Sequence, residues 1–233
     1  MPGPYVLTAN EPVNQQIYRF LRQEIVTCTL HPGALLSEKE ISSRFNVSRQ
    51  PVREAFIKLA EASLVQILPQ RGTFVMKISP KRVADGRFIR EVIETAVARR
   101  AAQEITPQFV MLMENNLQLQ QMASRHQDSN EFLKLDDEFH LLMARSIDCA
   151  LAWETVENIK AAMDRVRYLT LSKVSPPDLL IEQHYSIFNA LKSRDPAAAE
   201  SAVRRHLQEM IYSITPIVAQ NSDWFDIDPA TPG

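Results

Sequence analysis

Apolar positions recur at helical spacing from near Pro12. Ile17, Phe20, Leu21 and Ile25 form one stripe, with Arg19 and Arg22 off it, which predicts an amphipathic helix. The turn residues His31-Pro32-Gly33 are expected to end that segment. A short second helix follows. Ser37 and Glu40 stand three apart, as in a capping box, with Ile41 and Phe45 on the buried side and Asn46 closing the helix. Ser48 then caps a third helix, with Pro51 in its first turn. Val52, Ala55, Phe56 and Leu59 are its inner face, while Arg49, Arg53 and Lys58 point elsewhere. Val65-Gln66-Ile67-Leu68 and Thr73-Phe74-Val75-Met76 read as two short strands, joined by the turn Pro69-Gln70-Arg71-Gly72.

Ser79-Pro80 marks a boundary, and beyond it only helical patterns with start signals occur. The six expected helices run from Pro80 to near Glu104, from Thr106-Pro107 to near Arg125, from Ser129 to near Ser146, from Ala150 to near Leu171, from Pro176-Pro177, and from Asp195-Pro196 to near Ala219. Three helices followed by a hairpin make a winged helix-turn-helix, and six helices with short loops make a bundle. The fold class is therefore mainly α, an N-terminal winged helix-turn-helix plus a C-terminal all-α six-helix bundle. The expected boundaries are a disordered arm at 1–11, the winged domain at 12–78, the bundle at 79–220 and a tail at 221–233, frayed from Asp226.

The 233 residues are 45% apolar, enough for a small and a larger domain, each with its own core. Cys28 and Cys149 are far apart and in no motif, which excludes a disulfide framework and a cysteine zinc site. No signal peptide opens the chain, and no apolar run approaches the roughly 20 residues that cross a bilayer. A cytoplasmic protein without a membrane partner is expected. The net charge of −2 hides an asymmetry: residues 1–78 hold nine Lys and Arg against six Asp and Glu, and the rest hold 17 against 22. A mildly basic front on an acidic body suits a small DNA-binding module joined to something else.

The third helix supplies the chemistry for such a module. Its first turn carries Arg49, Gln50 and Arg53, and a helix enters the major groove end first. Arginine forks onto guanine and glutamine pairs with adenine. The free backbone N–H groups near Ser48 favour a phosphate oxygen. Arg71 and Gly72 stand in the turn of the wing. The alternative for each arginine is an ordinary solvated face.

These residues carry a resemblance. Leu36-Ser37-Glu38-Lys39-Glu40-Ile41, then Asn46 to Ala55 (NVSRQPVREA), then Gln70 to Val75 (QRGTFV) resemble the winged helix of the GntR family of bacterial transcription factors, over residues 12–78. The resemblance implies DNA contacts at Lys39, Arg49 and Arg53, and a wing tip at Gly72 that enters the minor groove. Where that family usually has glycine after the recognition helix, this chain has Ser63.

In the third bundle helix, Phe132, Leu135, Phe139, Leu142 and Met143 form the apolar stripe, and Asp136 and His140 lie on it, four residues apart. Asp137 and Glu138 are expected to point away. In the fifth helix His184 sits among Leu180, Ile187, Phe188 and Leu191. In the sixth His206 lies with Val203, Leu207, Met210 and Ile214. A buried carboxylate and buried imidazoles are costly alone, and a divalent metal relieves both. Three nitrogens and one oxygen suit zinc or nickel and leave room for water or a ligand. The alternative is that each histidine is a core residue satisfied by a hydrogen bond.

Asp136-x-x-Phe139-His140, His184 with Ile187 and Ala190, and Asp195, Ala198 and His206 resemble the FCD ligand-binding domain of the FadR-type subfamily, over about residues 82–215. Arg90-x-x-x-Glu94 also matches its first helix, whereas Cys149 stands where the subfamily often has asparagine. The resemblance implies a metal on the Asp and three His positions, with a small organic acid completing the shell. Arg90, on the inward stripe with Ile93 and Val97, and Arg167 are candidates to hold that carboxylate. The alternatives are a structural ion pair of Arg90 with Glu94 or another helix, and for Arg167 a face turned away from the cavity.

The resulting expectation is a homodimeric repressor that binds a pseudo-palindromic operator on double-stranded DNA, with affinity modulated by a small carboxylate effector. A metal-dependent enzyme and a DNA-binding protein with a purely structural metal are the rival readings.

Overall fold

The computed structural model describes residues 6–171, 176–212 and 214–226, and no side chain between residues 209 and 216. The inward placement expected for Met210 and Ile214 lies outside the described residues. The chain divides into two compact units. One takes the chain up to Pro80 and again from Gln220, and the other spans Lys81–Ala219.

The first unit orders α1 (Val13–Val26), β1 (Leu35–Leu36), α2 (Glu38–Phe45), α3 (Arg49–Glu61), β2 (Val65–Leu68) and β3 (Gly72–Val75). The expected hairpin is there, with Leu68 opposite Gly72 and Val65 opposite Val75. A third strand was not expected. Leu35 and Leu36 pair antiparallel with Phe74 and Thr73, so the sheet order is β1-β3-β2. Two residues are too few to show an alternating pattern. Ile17, Leu21, Ile25, Val52, Ala55, Phe56 and Leu59 form the core, and Phe20 packs at its edge on Phe45, ring centroids 5.8 Å apart.

Local chemistry sets the boundaries. The α1 helix ends at Val26, earlier than the His31-Pro32-Gly33 turn, because Cys28 turns left-handed at φ 54° within a Thr-Cys-Thr run of poor helix formers. Ser37 accepts from the Glu40 N–H at 3.4 Å, and Asn46 closes α2 at φ 52°. Ser48 takes the N-cap position of α3, but without a side-chain capping bond. Ser63 stands at φ 56°, the left-handed conformation that glycine adopts freely and that costs other residues roughly 1–2 kcal/mol.

Among the described residues, the segments nearest both termini are better tied than expected. Buried Gln16 accepts from the Thr8 N–H at 2.8 Å and donates to the carbonyls of Thr8 and Glu11 at 2.8 and 2.7 Å. The arm is thus anchored from Thr8. Near the other end, Phe225 is buried, and the Ile78 N–H donates to Trp224 O and the Asp226 N–H to Ile78 O, each at 2.9 Å. The Trp224 ring stacks on His31. Residues 221–226 are therefore part of the winged unit rather than a free tail, and Asp226 is paired, not frayed.

The second unit holds α4 (Pro80–Glu104), α5 (Pro107–Arg125), α6 (Ser129–Arg145), α7 (Ala150–Ile159), α8 (Ala161–Thr170), α9 (Pro177–Lys192), α10 (Pro196–Tyr212) and α11 (Ile214–Gln220), the last of which runs one residue past its boundary. Ala98, Leu117, Phe139, Met143, Val156, Ile187, Leu191 and Val203 form its main core. Asp128, not Ser129, caps α6 through the Glu131 N–H at 2.9 Å. The fourth expected helix is two helices, broken at Lys160, whose ψ is −6°. Apolar spacing continues through the break, with Val156, Met163 and Val166 all buried, so periodicity alone does not reveal it.

Candidate metal centre and nucleic-acid interface

Three helices bring one acid and three imidazoles together. The α6 helix supplies Asp136 and His140, one turn apart on its buried face, α9 supplies His184, and α10 supplies His206. One ligand atom from each lies within 4.8 Å of every other, and all four residues are buried. The imidazole centroids are 4.7 to 5.6 Å apart. His140 Nε2 and His184 Nε2 lie 3.9 and 3.4 Å from the Asp136 carboxylate, and both nitrogens are buried without a hydrogen-bond partner. A satisfied core histidine would not leave its lone pair so placed. The group fits a divalent cation.

The electrostatics prepare the same chemistry. Burial pushes His184 down to about 3, against a partial pull upward from Asp136. Burial, with the neighbouring imidazoles, also lowers His206. Both rings are then neutral near pH 7, the form that ligates metal. Burial alone would raise Asp136, but the Arg167 guanidinium and the imidazoles outweigh it and hold the carboxyl well below the usual range.

The structure places both expected anion ligands close by, with different partners. Arg90 donates from Nε to Glu94 Oε1 at 2.5 Å, as the ion-pair alternative has it, yet its Nη2 is buried without a hydrogen-bond partner. Arg167 bonds to Asp136 through Nη2 and to Asp137 Oδ1 through Nη1 at 3.0 Å. Asp137 therefore does not point away. It also accepts from Lys160 Nζ at 2.6 Å.

Sequence reasoning missed the groups behind the ligands. His140 Nδ1 lies 2.6 Å from Glu94 Oε2, and His184 Nδ1 and His206 Nδ1 lie 2.8 Å from the side-chain oxygens of Gln120 and Gln183. Gln120 had a legible signal. It shares the inner face of α5 with Met113, Asn116 and Leu117, a polar residue on an apolar stripe like the histidines themselves.

On the winged unit, Lys39, Ser48, Arg49, Gln50, Arg53, Arg71 and Gly72 are all exposed. Arg49 and Gln50 open α3. Gln50 donates to Glu54 at 3.0 Å, and Arg53 forks onto Glu38 with two bonds of 3.1 Å. Such exposed pairs contribute about 0–1 kcal/mol and exchange readily. Because Ser48 makes no capping bond, the first N–H groups of α3 are without a side-chain acceptor, as an anion site requires. The wing turn holds Gln70 at φ 60° and Gly72 at φ 109°.

Comparison with known proteins agrees with this architecture. Residues 13–75 match the model of bacterial regulatory proteins of the gntR family, and residues 87–209 match the FCD domain. The chain is 55% identical over 219 residues to the HTH-type transcriptional repressor RspR of Escherichia coli K12, covering 94% of this chain and 96% of that protein. It is 26% identical to the gluconate operon transcriptional repressor of Bacillus subtilis, covering 82% and 80%. The fold is shared with E. coli McbR/YncC at a TM-score of 0.75 and 20% identity, covering 91% of this chain and 99% of that one. No described helix is long and apolar enough to cross a membrane. A winged helix matched over its whole length, followed by an FCD domain, leaves the metalloenzyme without support: the chain belongs to the GntR family of bacterial transcription regulators, in the branch that carries an FCD domain, and it is a DNA-binding regulator.

Proposed function

We propose that the chain is a cytoplasmic repressor whose operator affinity is set by a small carboxylate bound at a divalent metal in the helical unit. The observation that carries this reading is the convergence of Asp136, His140, His184 and His206, with the Nε2 atoms of His140 and His184 buried without hydrogen-bond partners. Three nitrogens and one oxygen suit zinc or nickel. The bound metal would act as a Lewis acid toward a carboxylate oxygen. The buried, unpartnered Nη2 of Arg90 is a donor for the same anion, and it favours a sensor over a purely structural metal. Arg167, already bonded to Asp136 and Asp137, serves first to hold the acid in place.

In this reading α3 enters the major groove end first, with Arg49, Gln50 and Arg53 at base edges. Lys39 and the N–H groups at Ser48 take phosphates, and Arg71 and Gly72 follow the minor groove. The functional unit is a homodimer on a pseudo-palindrome. Exposed Phe88, Ile89 and Val92 on α4 are apolar surface that a second copy would cover.

Metal analysis of the purified protein tests the reading, with about one zinc or nickel per chain expected, as for a single four-ligand site. His184→Ala should lose it while remaining folded. With metal bound, one of a panel of sugar acids and dicarboxylates should shift operator affinity in a gel-shift titration. A native chain that takes up neither metal would overturn the proposal.

A further inference from the structure

Each ring of the metal cluster has a second nitrogen, and each of those nitrogens meets an oxygen from another helix. Glu94 of α4 faces His140 Nδ1, Gln120 of α5 faces His184 Nδ1, and Gln183 of α9 faces His206 Nδ1, at 2.6, 2.8 and 2.8 Å. The Gln120 amide is the most constrained. Its Nε2 donates to Asn116 Oδ1 at 2.7 Å and to the Leu135 carbonyl at 3.4 Å, and Asn116 Nδ2 donates to the same carbonyl at 3.0 Å. Gln120 and Asn116 are both buried. With its N–H groups committed to those two oxygens, the amide turns its Oε1 to the ring. An amide oxygen only accepts, so His184 must carry its proton on Nδ1. The lone pair then sits on Nε2, the buried nitrogen without a hydrogen-bond partner beside Asp136.

We infer that Gln120, with Gln183, is a positioning residue that fixes the tautomer and aim of a histidine ligand, so that metal affinity depends on side chains that never touch the metal. This rests on the reading of the cluster as a divalent metal site. Outer partners of this kind raise ligand basicity and stop the ring turning. The set here is mixed. Glu94 places an anion 2.6 Å from His140 Nδ1 without hydrogen-bond geometry, while Gln120 and Gln183 are neutral acceptors that orient without adding charge. Asn116 acts one step further out, by preventing the Gln120 amide from turning its nitrogen toward the ring.

The test is zinc affinity of the full chain, stripped by chelator and titrated against a competing zinc indicator. Gln120→Leu and the half-buried Gln183→Leu are each expected to weaken zinc about 10–100-fold. Gln183→Glu, at the half-buried position, keeps an acceptor and should recover most of the loss, which a simple packing defect would not. Cobalt absorption gives a second readout: the d–d bands should change in Gln183→Leu and return in Gln183→Glu. Unchanged zinc affinity and cobalt spectra in both leucine variants, with wild type binding zinc normally, would overturn the inference and leave the metal reading intact. A wild-type chain that binds no zinc would remove both. If Gln120→Leu does not fold, Gln183→Leu carries the same comparison at His206.

Discussion

At the scale of single residues, the residue types of the candidate sites were legible because they break a pattern. Asp136, His140, His184 and His206 are polar positions on apolar stripes, and the structure gathers all four. Arg49 and Gln50 are exposed at the start of α3. What the sequence did not disclose is which charge meets which. Glu38 and Arg53 lie 15 residues apart and Arg167 and Asp136 lie 31 apart, and such pairs depend on tertiary packing. If α3 reads DNA, Arg49→Ala should weaken operator binding by about 1–3 kcal/mol when a base pair is lost. Full affinity in an anisotropy titration would withdraw Arg49 from the interface. Gly72 makes a separate claim. It sits at φ 109°, and an added Cβ would lie 2.6 Å from the end of the Leu35 side chain. Leu35 can move, but the backbone conformation is one that L side chains rarely adopt. Gly72→Ala is therefore expected to lower stability by about 1–3 kcal/mol and to weaken operator binding with it. An unchanged denaturation midpoint would show that the wing relaxes without cost.

At the scale of elements, helices with strong start signals matched their expected positions. Pro107, Pro177 and Pro196 each open a helix, since a first-turn proline has no N–H to lose. Errors gathered where a tertiary contact overrides a local pattern. The β1 strand exists because β3 offers it a free edge, and the break between α7 and α8 comes at Lys160, a residue that looks solvent-bound in sequence. It is fully buried, with Asp137 at 2.6 Å, Asp164 at 3.1 Å and the Trp153 ring at 5.7 Å. Burial alone would lower the Lys160 pKa, but Asp164 and Asp137 outweigh it, so the amine stays charged. Removing the amine leaves Asp137 and Asp164 with Arg167 as their remaining cation, so buried negative charge is only partly compensated. Lys160→Met is expected to destabilise the helical unit by about 3–5 kcal/mol, read as a lower urea midpoint. Adding Asp164→Leu should recover part of that loss. A single variant as stable as wild type would mean that water already reaches the acids.

At the scale of the whole molecule, the division into a winged unit and a helical unit was legible from the turn residues at Ser79-Pro80, whereas the return of the chain was not. A buried Phe225 near the end of a polar segment gives no periodic signal, so residues 221–226 read as a tail. The return matters because it gives the two units a second covalent link. The α4 helix, which opens at Pro80 where the first unit ends, carries Arg90 and Glu94. The α10 helix carries His206 and is followed by α11, with which the chain goes back to the winged unit at Gln220. Both connections thus lead through helices that line or supply the Asp136, His140, His184 and His206 group. Linkage then makes a prediction independent of any pathway. If zinc changes operator affinity by some factor, operator must change zinc affinity by that same factor, and couplings of this kind are typically about 5–150-fold. Operator affinity is measured by anisotropy at buffered zinc and in zinc-free protein, and zinc affinity by indicator competition with and without saturating duplex. Equal factors from the two measurements are expected. Operator affinity that is identical with and without zinc, in protein that is folded in both states, would make the metal structural and leave regulation to some other part of the chain.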